Sequence, residues 1–266
     1  MPEEAEFATF LRPMGLALDQ TGAEGSAAPA TWSGRALVTE QLCIPGTDRI
    51  RSSVMACWTD IVGGSEANRL AGGRVALTAD LTIRLLAPPV ANAVVISSRV
   101  LKAGRTTIFC EARLTNERGA TFAVSHMTFQ TSPRTEDVIG GDGLPGLSRP
   151  AEPATPSYPV PFFDFLGLRH AASAVVELDR RPPVMNPAAT LQGGALAALI
   201  EAAAEDVCGP VGEMEIHYLS AVRIGPGRAS AAALGADGLT RVEVSDPGNQ
   251  GRLATLGLVW PVTALR

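Results

Sequence analysis

The segment Gln192-Gly-Gly-Ala-Leu-Ala-Ala-Leu-Ile-Glu201 decides the fold that we predict, because its pattern occurs twice in the chain. The second copy, Arg51-Ser-Ser-Val-Met-Ala-Cys-Trp-Thr-Asp60, aligns with it without gaps at an offset of 141 residues. Each copy has a polar residue, two small residues, an apolar run, and an acid nine residues after the polar residue. Apolar residues on nearly every side predict a helix that is enclosed by other elements. The repeat therefore indicates two copies of one structural unit.

Strand-like runs follow both predicted helices, at 80–86 and 214–219. Two hairpin-like strand pairs then close each half, with turn residues at 102–104 and 116–119 in the first and at 236–238 and 247–251 in the second. Each half thus predicts one helix and roughly four strands in an antiparallel sheet that wraps the helix. Pairing the two sheets edge to edge would bury strand edges that otherwise stay open.

A proline-rich stretch separates the two halves. Residues 133–161 hold seven of the twenty prolines, with GGDG in the middle, so a continuous helix or central strand is excluded there. We predict a first domain over 1–132, a linker over 133–161 and a second domain over 162–266. The expected fold class is α+β, with each domain an antiparallel sheet around one central apolar helix.

Composition excludes several classes of function. The 266 residues are 46% apolar and 18% charged, with a net charge of −5, which argues against nucleic acid as a partner because phosphates require a basic surface. The longest apolar stretch, 193–204, is shorter than the roughly 20 residues that span a bilayer, so no membrane partner is expected. The first residues, MPEEAEF, are acidic where a secretory signal is basic, and we expect a cytoplasmic protein.

Cysteine and histidine content narrows the chemistry further. The four cysteines contain no C-x-x-C pair and the chain has three histidines, so neither a zinc site nor a redox dithiol is predicted. No G-x-G-x-x-G or Walker loop supports a nucleotide. A catalytic Ser–His or Cys–His pair remains an alternative, although the sequence contains no G-x-S-x-G motif that would support one. We therefore predict no cofactor and no metal.

The stretch Asn186-Pro-Ala-Ala-Thr-Leu-Gln-Gly-Gly, continuing to Glu201, resembles the core motif of the hotdog-fold acyl-CoA thioesterases of the phenylacetate-pathway type. That motif is Asn, five residues, His-Gly-Gly, and an acid nine positions after the His. Arg51-Ser-Ser with Asp60 resembles the same motif more faintly. The resemblance implies two tandem hotdog domains, hydrolysis of acyl-CoA thioesters, and association of the tandem chains into a homodimer.

The resemblance also implies two composite sites, because one hotdog supplies the Asn and the glycine turn while the other supplies the acid and a hydroxyl. One composite combines Asn186, Gln192 and Gly193 with Asp60 and Thr78, and every role is filled apart from the replacement of His by Gln. The opposite composite combines Pro45, Arg51, Ser52, Glu201 and Val211. It lacks both the Asn and the hydroxyl, so we expect it to be degraded.

Each of these residues has a structural alternative. Asp60 or Glu201 acts as a general base or a nucleophile, or it reaches solvent, or it pairs with an arginine such as Arg84 or Arg223. The N–H groups of Gly193 and Gly194 stabilise an oxyanion, or these glycines only allow close packing.

The polar residues before the glycines are equally ambiguous. Asn186 orients the attacking water or the carbonyl, or it caps a turn. Gln192 can donate a hydrogen bond but cannot take a proton. Two other functions are alternatives to hydrolysis. One is hotdog-type enoyl hydration, which needs a histidine that neither helix start has. The other is non-catalytic binding of an acyl group or acyl-CoA.

Overall fold

The computed structural model of the protein describes residues 14–21, 31–72, 74–132, 160–186, 190–235 and 237–262. The predicted linker, apart from 160–161, and the first 13 residues of the predicted first domain lie outside the described residues. The elements of the first half are β1 (Leu16–Thr21), β2 (Thr31–Leu37), α1 (Ser52–Leu70), β3 (Ala76–Leu85), β4 (Ala93–Ala103), β5 (Thr107–Asn116) and β6 (Thr121–Thr131). Those of the second half are α2 (Phe162–Leu166), β7 (Arg169–Ala172), β8 (Val175–Leu178), α3 (Gly193–Cys208), β9 (Val211–Tyr218), β10 (Gly227–Ala233), β11 (Thr240–Asp246) and β12 (Arg252–Pro261).

Within the part of the chain that the structure describes, twelve strands form one antiparallel sheet in the order β1-β2-β4-β5-β6-β3-β9-β12-β11-β10-β8-β7. Each half contributes six strands, and both halves have the same strand order from the outer edge to the middle. The halves meet at the β3–β9 pair, where Asp80 lies opposite His217 and Ile83 lies opposite Met214. The two strands that precede each long helix were absent from the sequence prediction, and two of them, β7 and β8, are only four residues long.

Both long helices begin where the repeat predicts, with Arg51 and Gln192 as the residues that precede the first helical turn. They extend beyond the predicted ten residues, to Leu70 and Cys208. Trp58 and Ile200 are among the fully buried side chains of these helices. Burial on nearly all sides explains why their sequences lack a polar face. Within the described residues, no helix is long and apolar enough to cross a membrane.

The first turn of each long helix contacts a later turn of the other. A Cβ atom on Gly194 would lie 2.6 Å from the Sγ atom of Cys57, so only glycine allows this approach. On the other side, the backbone N–H of Ser53 donates to Oε2 of Glu201 at 2.8 Å. As a result, the acid of each helix lies beside the amino end of the other helix.

Candidate active site

Asp60 lies on α1, beside the amino end of α3. A Cβ atom on Gly193 would lie 3.2 Å from Oδ2 of Asp60, and Thr78 Oγ1 donates a hydrogen bond of 2.6 Å to Oδ1 of Asp60. Thr78 stands near the start of β3, next to a bulge at Ala79 that interrupts the pairing with β6. The structure thus brings three of the predicted site residues together from three different elements.

The environment of Asp60 suits a general base. Burial raises the pKa of Asp60 from 3.8 to about 6, and the hydrogen bond from Thr78 opposes part of that rise. The side chain remains partly accessible to solvent. A carboxylate with a pKa near 6 is mostly ionised at neutral pH and is still basic enough to take a proton from water.

The first turn of α3 offers two hydrogen-bond donors next to this carboxylate. Oε1 of Gln192 accepts from the Ala195 N–H at 3.0 Å, and the Gln192 carbonyl accepts from the Leu196 N–H at 3.0 Å. The N–H groups of Gly193 and Gly194 have no hydrogen-bond partner among the described residues. Unpaired N–H groups at a helix start carry partial positive charge, so they can stabilise an oxyanion.

Gln192 and Asn186 both accept hydrogen bonds from residues of this turn. The carboxamide oxygen of Gln192 caps its own helix, as a short polar residue usually does at this position. Oδ1 of Asn186 accepts from both N and Oγ1 of Thr190 at 3.1 Å, the turn-capping alternative that we considered. The intervening residues 187–189 lie outside the described residues.

The opposite composite forms a buried ion cluster. Nη1 of Arg51 lies 2.8 Å from Oε1 of Glu205 and 3.4 Å from Oε1 of Glu201, and its guanidinium stacks 3.7 Å from the centroid of the Phe163 ring. Ser52 Oγ donates to the Gly212 carbonyl at 2.8 Å. Arg51 and Glu201 are 4% and 0% exposed, so this pair is closed to solvent.

Glu201 pairs with an arginine, as one of the structural alternatives predicts, but its partner is Arg51 and not Arg84 or Arg223. Arg84 pairs instead with Glu213 and Glu215 along the β3–β9 seam. Sequence reasoning chose the wrong arginines because Arg51 itself occupies the turn that we treated as a place for substrate.

The Asp60 site and the Arg51–Glu201 cluster differ in what accepts hydrogen bonds from the N–H groups at the helix start. Glu201 accepts directly from the Ser53 N–H, and Ser53 occupies the same place in the repeat as Gly194. Asp60 is one methylene shorter, bonds to Thr78, and leaves the Gly194 N–H without a partner among the described residues. The Asp60 site therefore leaves a helix-start donor for a reacting group, where the opposite cluster binds its own carboxylate to the equivalent donor.

The cysteine and histidine side chains are less suited than Asp60 to act as the base or nucleophile. Cys57 lies against Gly194, but burial and then the charge of Asp60 raise the pKa of its thiol far above the ordinary value, so it stays protonated. His217 pairs with Asp80 at 2.6 Å and His126 lies 3.4 Å from Glu111. Among the described residues, no group of three or more His, Cys, Asp or Glu side chains could hold a metal.

Sequence reasoning missed Tyr218, which is the last residue of β9. Its hydroxyl donates to the Gly193 carbonyl at 3.1 Å, beside Asp60. The only signal was the alternation of the strand 214–219, which predicts a side chain facing the helices at this position but gives it no role.

Comparisons with known proteins agree with this architecture. Residues 53–123, which contain Asp60 and Thr78, match the thioesterase superfamily. A conserved protein of unknown function with a hot dog fold from Alicyclobacillus acidocaldarius is 16% identical, with coverage of 98% of both chains and a TM-score of 0.54. The chain has the hotdog fold. No curated protein matches its sequence.

Two other similar structures have names that state an activity. An acyl-ACP thioesterase from Bacteroides thetaiotaomicron is 11% identical over 94% of this chain and 98% of its own, with a TM-score of 0.55. The 12:0-ACP thioesterase from Umbellularia californica is 10% identical over 86% and 95%, with a TM-score of 0.57. These likenesses concern the fold, while the superfamily match supports the prediction that the chain is a thioester hydrolase.

Proposed function

We propose that this chain is a tandem pair of hotdog domains that hydrolyses acyl thioesters at one composite site, formed by Asp60 and Thr78 from the first half and Gly193 and Gly194 from the second. The observation that carries the proposal is the position of a carboxylate with a raised pKa beside two helix-start N–H groups that have no partner among the described residues. A base and an oxyanion site in contact are the two elements that acyl transfer to water needs.

The reaction follows from these positions. Asp60 takes a proton from water, and the water oxygen forms a bond to the thioester carbonyl carbon. The carbonyl oxygen becomes an oxyanion that accepts from the N–H groups of Gly193 and Gly194. When the oxyanion collapses, the carbon–sulfur bond breaks and protonated Asp60 gives its proton to the departing thiolate. The products are a carboxylic acid and a thiol, and Asp60 is again a carboxylate. Thr78 keeps the Asp60 carboxylate turned toward the site through its hydrogen bond.

The opposite cluster does not take part in this reaction in our proposal. Its acid is fully buried and paired with Arg51, and its helix-start donor is already bound to that acid. No hydroxyl stands at Val211 to hold a carboxylate as Thr78 does. The cluster instead ties α1 to α3 across the two halves.

The substrate is an acyl group on a pantetheine thiol, and the resemblance to the phenylacetate-pathway type favours coenzyme A as the carrier. That narrower family, the homodimer and the cytoplasmic location stay predictions. The alternative of a non-catalytic acyl or acyl-CoA binding protein is favoured by Gln192, which caps a helix where the related motif has histidine.

A turnover assay separates the two functions. We expect release of free thiol from short, aromatic or long acyl-CoAs, followed with a thiol reagent, and a loss of at least 100-fold in Asp60→Asn. The same acyl groups on carrier protein identify the carrier. Binding of the whole panel without turnover would support the binding protein and contradict the hydrolase.

A further inference from the structure

Tyr218 makes a contact that the proposed reaction does not yet use. We infer that Tyr218 is a positioning residue that aims the oxyanion donors of α3; this inference rests on the function proposed above. The residue reaches the site from the end of β9, and its hydroxyl donates to the Gly193 carbonyl at 3.1 Å.

This hydrogen bond fixes the direction of a donor. The Gly193 carbonyl and the Gly194 N–H belong to the same planar peptide unit, so a restraint on the oxygen also restrains the N–H on the other side of the plane. The first helical carbonyl already accepts within the helix, and Tyr218 adds a second restraint from outside it. The Gly194 N–H is thereby held in one orientation before any substrate arrives.

The glycine pair needs such a restraint. Glycine has no side chain and more conformational freedom than any other residue, and two of them in succession begin α3. A Cβ atom would lie 2.6 Å from Sγ of Cys57 at position 194 and 3.2 Å from Oδ2 of Asp60 at position 193, so the packing excludes a side chain at the first place and disfavours one at the second. The packing that builds the site therefore removes the side chains that would otherwise hold the turn.

In the opposite cluster, a different hydroxyl holds the start of the helix. Ser52, which corresponds to Gly193 in the repeat, anchors the start of α1 with its own hydroxyl, which donates to the Gly212 carbonyl on β9. Gly193 has no hydroxyl to do this. On α3 the anchoring hydroxyl comes from the strand, as Tyr218.

Tyr218 stays protonated in this position. Burial, the charge of Asp60 and the proximity of Cys57 all raise the pKa of its phenol well above 10. The hydroxyl is therefore a permanent donor and does not compete with Asp60 as a base.

Tyr218→Phe tests the inference, because it removes the hydroxyl and keeps the ring. We expect kcat to fall about 10- to 100-fold, the usual effect of small misplacement in an active site, while KM changes less than about twofold. The kcat pH profile keeps its midpoint. His217→Gln, one residue earlier on β9, is the matched control and keeps the wild-type kcat. A Tyr218→Phe enzyme with kcat within twofold of wild type would overturn the inference.

A spectroscopic readout keeps this test separate from the proposed function. The probe is an unreactive ketone analogue of acyl-CoA in which CH2 replaces sulfur, observed by infrared difference spectroscopy of its carbonyl stretch. We expect the stretch to be lowered in the wild type and to return toward its value in water in Tyr218→Phe. The same shift in both proteins would contradict the role of Tyr218. A wild type that shifts the stretch but releases no thiol from thioesters would contradict the hydrolase alone.

Discussion

Lengthening the acid of the site by one methylene is expected to block it. In Asp60→Glu the carboxylate extends about 1.5 Å farther. The structure shows the result of that length at the opposite cluster, where Glu201 accepts from the Ser53 N–H at 2.8 Å. A glutamate at position 60 would reach the Gly194 N–H in the same way. Loss of one oxyanion donor costs about 100- to 1,000-fold in kcat, so activity should fall by at least that factor.

The assay compares Asp60→Glu with Asp60→Asn, which keeps the side-chain length and removes the base. Both variants lose turnover, but only the glutamate occupies the donors. We therefore expect the ketone analogue to bind Asp60→Asn as tightly as the wild type and to bind Asp60→Glu at least tenfold more weakly. Equal binding to both variants, or turnover by Asp60→Glu within tenfold of wild type, would refute the idea that acid length keeps the site open.

Three further predictions follow from the charges around the two clusters. First, kcat should rise tenfold per pH unit below about pH 6, where Asp60 is protonated, and should be constant above it. Burial is the main cause that raises the pKa of Glu205 to about 7, but Glu205→Gln should leave the midpoint of the kcat profile unchanged. Second, Asp60→Asn should raise the free energy of unfolding by up to about 3 kcal/mol at pH 8 and by little below pH 4. The reason is that the pKa of Asp60 is raised from 3.8 to about 6 in the folded state, so its ionised form destabilises the fold as the pH rises through that range. Urea unfolding at both pH values measures this difference. Arg51→Met should lower the unfolding free energy by about 3–5 kcal/mol at pH 8, because Glu201 then lacks its buried partner, and adding Glu201→Gln should restore part of the loss in the same assay.

Much of the fold could be predicted from the chain because the pattern occurs twice. The spacing of Arg51 to Asp60 and of Gln192 to Glu201 located the starts of both long helices, and the alternating runs after them located β3 and β9. The two strands before the second long helix, β7 and β8, were not predicted because each has four residues and β7 is exposed at every residue. Alternation of buried and exposed residues is the signal for a strand, and an edge strand of four residues has little of it.

The site was harder to predict because its residues meet only through the contact of the two helices. Asp60 and Gly193 are 133 residues apart, and their proximity depends on the small Gly194 fitting against Cys57. Nothing local in the sequence shows that Gln192 turns its oxygen onto its own helix. Tyr218 also looks like any strand residue until the Gly193 carbonyl is placed beside it.

The central claim is that the chain has one working site, with Asp60 as its base. The most direct measurement is kcat for two isosteric variants, Asp60→Asn and Glu201→Gln, on the best acyl-CoA substrate, with thermal unfolding of both to confirm the fold. The account predicts a loss of at least 100-fold for Asp60→Asn and a kcat within threefold of wild type for Glu201→Gln. Activity that survives Asp60→Asn but is lost in Glu201→Gln would contradict it.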